Sequence, residues 1–138
     1  MPTIPSSING VTVEFSSAVN KTVDHKVIDG LKKIAKPAIE TGYKLTKIHI
    51  FPANDQHEAP SRHVQGNGKA VYISRINESK LSLTYSTNAT VKAIVNAMQT
   101  EFENFTYRRE NVGPFLKKRL GSTHTISGHS DHMHFSVN

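Results

Sequence analysis

Apolar and polar positions along this chain fall into short runs whose periods predict its elements. Val11 to Phe15 alternates apolar with polar residues, the period of a half-buried strand. Between Asp24 and Thr41, residues Val27, Ile28, Leu31, Ile34, Ala35, Ala38 and Ile39 recur at i, i+3/i+4 and i+7. That spacing predicts an amphipathic helix capped near Asp24 and stopped at Gly42, with Pro37 either kinking it or splitting off its last turn. Leu45 to Phe51 alternates again and reads as a strand. Further strands are expected over Lys69–Ile76 and Leu81–Tyr85. A second helix is expected from Asn88 to about Phe105, with Val91, Ile94, Val95, Met98, Phe102 and Phe105 on one face. The pattern then predicts a short helix over Pro114–Leu120, stopped at Gly121, and a last strand from about His132. Residues 1 to 10, rich in Pro, Ser and Gly, read as an extended arm. Runs of this kind predict an α+β fold, a small and mostly antiparallel sheet with helices packed on one face.

Length and composition narrow the picture. The chain has 138 residues, enough for one core, so a single domain over 1–138 is expected. Cysteine is absent, which excludes disulfides and thiolate ligands; a metal here would be held by His, Asp, Glu or Tyr. No apolar run reaches the length of a membrane span. MPTIPSSING lacks the basic and apolar regions of a secretion signal. The expectation is a chain made in the cytoplasm that stays there, leaves on lysis or travels in a virion-like assembly. The net charge of +6 favours polyanionic partners, among them nucleic acid and the anionic bacterial wall. The basic residues (Lys32, Lys33 and Lys36; Arg108 and Arg109; Lys117, Lys118 and Arg119) are scattered and lack interleaved stacking aromatics. They read as a solvated surface rather than a specific nucleic-acid site.

Two segments about seventy residues apart carry the candidate chemistry. SRHVQGNGKAVYI, from Ser61 to Ile73, places His63 at the end of a long polar loop, just before a glycine turn and a strand. DHMHFSV, from Asp131 to Val137, places His132 and His134 on one side of the last strand, with Met133 and Phe135 on the other. His124, His129, His132 and His134 are half of the chain's eight histidines, a clustering that packing does not explain. Neutral imidazoles on rigid strands suit a divalent metal, and a nearby carboxylate suits general-base work on water. Each residue also has a structural reading. His63 could be hydrogen-bonded to backbone, and Asp131 could start a strand or turn.

Taken together, Ser61-x-His63 with Gly66, and Asp131-x-x-His134 on a last strand, resemble a family of zinc enzymes. These are the D-alanyl-D-alanine carboxypeptidases and L-alanyl-D-glutamate peptidases, which include phage endolysins and share their core with the hedgehog signalling domain. The family pattern is Ser-x-His-x-x-Gly-x-Ala-x-Asp, then Glu or Asp, two residues and His. The resemblance implies zinc held by His63 and His134, Asp131 as general base, and His132 supporting the site. Ser61 and Arg62 would line the substrate side, Arg62 suited to a wall-peptide carboxylate. One ligand departs from the pattern. No Asp or Glu lies between Glu58 and Glu78, and with an insertion at Asn67-Gly68 it is Tyr72 that takes the aspartate's place. A phenol with a pKa of about 10 is a poor zinc ligand; His57 or Glu58 could serve if the loop folds back.

The resemblance implies one of two functions. The first is a zinc peptidase acting on bacterial wall peptide. The second is a catalytically inactive descendant, serving as a virion structural protein among other virion proteins or as a wall-binding module.

Overall fold

The structure, a computed structural model, describes residues 2–16, 21–51, 68–125 and 131–138. It is an α+β fold with nine strands and three helices among these residues. In chain order the elements are β1 (Ser7–Ile8), β2 (Val11–Phe15), α1 (His25–Ile34), β3 (Lys47–Phe51), β4 (Ala70–Ile76) and β5 (Ser79–Lys80). Next come α2 (Leu81–Thr84), α3 (Ala89–Phe102), β6 (Arg108–Val112), β7 (Lys117–Arg119), β8 (Ser122–Thr123) and β9 (Met133–Val137). The strands form one open sheet in the order β1-β2-β3-β4-β9-β6-β7-β8, with β5 paired to one end of β4. Every pairing is antiparallel except β2 with β3, which α1 connects as a crossover. The sheet is larger than the sequence predicts, because β1, β5, β6, β7 and β8 have no apolar alternation of their own.

Helix α1 begins where Asp24 accepts a hydrogen bond from the Lys26 amide at 2.9 Å. It buries Val27, Ile28, Leu31 and Ile34. The expected extension to Thr41 does not form. Pro37 lacks an amide proton and disfavours helical backbone at Lys36, so of the two expected outcomes the helix is cut short at Ile34 and does not continue through a kink. Helix α3 is capped by Asn88, whose side chain accepts from the Val91 amide at 3.1 Å. Both helices pack on β9, β6 or β4, and they touch each other. Gly30 makes that contact close: a Cβ there would stand 3.1 Å from the Phe102 ring. Val13, Ile48, Ile50, Val71, Ile73, Met133 and Phe135 supply the sheet's share of the core. No helix among the described residues is long and apolar enough to cross a membrane.

The N-terminal segment packs on the sheet: Ile4 and Ile8 are buried, and Asn9-Gly10, both at positive φ, turn β1 into β2. Two further expectations do not hold. Leu81–Thr84 is a helical turn, not a strand; Asn77 and Glu78, at φ of 49° and 70°, close the β4–β5 hairpin just before it. Pro114–Leu120 holds strand β7 instead of a helix, because Lys117, Lys118 and Arg119 pair with Val112, Asn111 and Glu110 of β6. Gly121 then serves the turn into β8.

Two register shifts re-aim side chains on this sheet. On β4, Arg75 lies opposite His49 and Ile73 opposite Ile50, so Ser74 is an extra residue. On β6, Arg108 lies opposite Val137 and Asn111 opposite Phe135, so one residue is extra there too. An inserted residue breaks the alternation of its strand. Arg75 thereby leaves the core side, and Arg109 and Glu110 share the side of Ser136.

Candidate functional site

The face of the sheet away from α1 and α3 carries the chemistry. Its central row is set directly by register: Phe51 opposite Tyr72, Tyr72 opposite His134, His134 opposite Val112, and Val112 opposite Lys117. His124 comes next at the edge, its amide donating to the Lys117 carbonyl at 2.9 Å. Alternation along β9 sends Met133 and Phe135 into the core and leaves His132, His134 and Ser136 on this side.

Four rings meet at one end. Tyr72 lies 4.7 Å from His132, 5.1 Å from His134 and 4.9 Å from Phe51, centroid to centroid. His132 Nδ1 is 2.7 Å from Asp131 Oδ1. A carboxylate can only accept, so this contact puts the proton on Nδ1 and makes Nε2 the acceptor of the neutral ring. Asp131 thus sets the tautomer of His132, the role that outer carboxylates play at many histidine sites.

Glu110 organises the other end. Its Oε1 lies 3.3 Å from His134 Nε2, 3.1 Å from the Arg109 guanidinium and 3.3 Å from the Ser136 hydroxyl, which donates to it. Its Oε2 lies 3.7 Å from His124 Nε2. The Ser136 hydroxyl also accepts the Glu110 amide at 2.9 Å, which fixes the backbone at the bulge. The hydrogen bond from His134, with the charges of His134, Arg109 and His124, outweighs burial and holds the Glu110 carboxyl at about 2. Glu110 is therefore ionised throughout the neutral range.

A depressed carboxyl pKa contributes stability that is complete above the unfolded value and is lost as pH falls through the folded one. For Glu110 that window runs from about 4.5 down to about 2. Replacing Glu110 with glutamine is expected to flatten the acid limb of the stability profile in this window. Allowing for solvent screening, the loss at neutral pH is on the order of 2 kcal/mol. Urea unfolding at pH 7 and at pH 3 checks this: the two proteins should differ clearly at the first and much less at the second.

The sequence-predicted residues divide into two groups. Tyr72, His132 and His134 come together on β4 and β9, with Asp131 beside His132. Ser61, Arg62, His63 and Gly66 lie outside the described residues, as do His57, Glu58, Asn67 and His129. The insertion expected at Asn67-Gly68 is visible only at Gly68. That glycine has φ of 61° and sits where a Cβ would approach the Val23 backbone at 3.1 Å, so close passage explains it. Sequence reasoning missed Glu110, Arg109 and Ser136. The one available signal was the lack of a carboxylate near Tyr72, which made every other Glu a candidate.

The donor set tests the expected zinc. Among the described residues, no group of three or more His, Cys, Asp or Glu is arranged to hold a metal ion. His134 turns Nε2 toward the ionised Glu110, and a nitrogen that donates a proton has no lone pair to offer a metal on that side. The described residues do not by themselves complete a zinc site.

The chain matches no protein-family model, no curated protein and no solved structure.

Proposed function

We propose that this chain is a domain of the D-alanyl-D-alanine carboxypeptidase and L-alanyl-D-glutamate peptidase type, directed at the peptides of the bacterial wall. One observation carries the reading. Tyr72 is the residue that the motif sets in the place of the lost aspartate, and it stands in register beside His134, the motif's last histidine. Two segments far apart in the chain thus meet at one point on a face free of α1 and α3. In this reading His63, from outside the described residues, joins His134 and Tyr72 at that point. Zinc, when bound, would supply the polarisation of a carbonyl and the acidity of a water. The chain's own part is clearer: Asp131 and His132 form a proton-handling pair at the mouth, and Phe51 and Tyr72 give an aromatic floor for an extended peptide.

A second reading has its own observation. The Glu110–His134 contact occupies one of the two ring nitrogens of His134, and a tyrosine stands where the motif has a carboxylate ligand. Both favour a catalytically inactive descendant that binds wall peptide or serves inside a virion.

Digestion of purified peptidoglycan separates the two. With zinc supplied, the peptidase releases peptide fragments and Asp131→Ala loses at least about tenfold of that rate. No release by the wild type, with fully folded protein that purifies free of metal, assigns the binding role instead.

A further inference from the structure

A second cleft opens on the same face, next to the aromatic floor. Glu14, Lys47, His49, Arg75 and Glu78 line it, enclosing about 410 Å³. Its central row is again set by register, Glu14 opposite His49 and His49 opposite Arg75. The floor and the cleft are adjacent, since His49 lies two positions before Phe51 on β3.

The charges in this cleft are unevenly committed. Lys47 binds both carboxylates, Glu78 at 2.7 Å and Glu14 at 3.3 Å. Arg75, partly exposed, takes part in no ion pair among the described residues. The bulge at Ser74 is what places it here; unbroken alternation would have driven it into the core. A guanidinium that lines an open cleft from a strand is suited to a planar two-oxygen anion. Burial, and next the charge of Arg75, lower the pKa of His49, so its ring is neutral at pH 7 and adds a hydrogen bond without charge. Glu14 and Glu78 set the class of anion: their charges oppose a phosphate dianion more strongly than a single carboxylate.

We infer that this cleft is a recognition site for a peptide carboxylate, with Arg75 as its anchor and His49, opposite it in register, as a hydrogen-bonding partner. That the carboxylate belongs to a wall peptide rests on the proposed function; the site itself does not.

The test is a nuclear magnetic resonance titration with N-acetyl-D-alanyl-D-alanine, its C-terminal amide and inorganic phosphate, tracking the His49 ring protons. The acid should shift them, and the amide should bind about tenfold more weakly or less. Arg75→Gln should lose the response to the acid with its unfolding curve unchanged, because Arg75 makes no ion pair that folding depends on. Equal responses to acid and amide, an undiminished response in Arg75→Gln, or a stronger response to phosphate would each overturn the inference. The peptidoglycan assay reports separately. Binding at Arg75 with no wall digestion retains the cleft and removes catalysis. Digestion by Arg75→Gln at the wild-type rate, with no response of His49 to the acid, does the reverse.

Discussion

Replacing Gln99 with methionine is expected to lower stability by about 3 kcal/mol, which for a chain of this size moves Tm by roughly 10 °C. Gln99 is wholly buried on α3, and both ends of its amide are used. Nε2 donates to Asn111 Oδ1 and to the Leu116 carbonyl, each at 3.0 Å. Oε1 accepts the amides of Phe115 at 3.0 Å and Leu116 at 3.1 Å. Asn111 in turn donates to the Gln99 carbonyl at 2.7 Å and to Glu103 at 2.9 Å. Methionine keeps the volume but removes the partner of Asn111 Oδ1 and of the Phe115 and Leu116 amides, while the Leu116 carbonyl keeps the Gly113 amide at 2.8 Å. Each group left without a partner carries its desolvation cost. The network ties α3 to the β6–β7 turn, and Gly113 is there because a Cβ would meet the Gln99 amide at 2.8 Å. Thermal unfolding monitored by circular dichroism is the measurement. A shift no larger than that of the exposed change Thr100→Ala would mean that water satisfies the turn.

Tyr72→Asp carries the other large effect, and its sign depends on zinc. Without metal the change removes a buried ring packed on Phe51, His132 and His134, and should cost about 2 kcal/mol. With zinc it should restore a hard anionic ligand beside His134 and tighten binding by more than about tenfold. Calorimetric titration with zinc, run on wild type and variant, reads the difference directly. A variant that is destabilised and gains no affinity would show that position 72 does not face the metal. The alignment of Tyr72 with the lost aspartate would then fall, and the peptidase reading with it.

These two residues show where the sequence was legible. Helices α1 and α3 and strands β2, β3, β4 and β9 carry apolar residues at the period of their element, so burial writes them into the order of residues. Tyr72 and His134 could be related because each sits in a motif at a strand. Strands β6 and β7 carry RRENV and KKR, which have no such period; their partners decide their state. Gln99 is polar and stands outside the apolar pattern of α3, yet it is wholly buried. Only the turn folded over it explains its burial. Glu110 was invisible for the same reason: β6 reaches His134 by lying next to β9, and the extra residue at the bulge puts the carboxylate on the side of Ser136 and His134. A shift of this kind leaves no trace in local spacing, and it likewise hid the exit of Arg75 from the core.

The place of β9 has a consequence for how the molecule assembles. This strand, the last among the described residues, is inserted between β4 and β6, so it joins the β1–β5 half of the sheet, made much earlier, to the β6–β8 half that precedes it directly. Until Val137 has left the ribosome, β4 and β6 each present an unpaired edge, and the core lacks Met133 and Phe135. Both edges can recruit other strands during that interval, the usual route to aggregation. Closure across such long sequence separations is also slow, in the milliseconds-to-seconds range of non-local folds. Synthesis at reduced temperature, or with a chaperone that shields strand edges, should therefore raise the yield of folded protein more than any change on its surface.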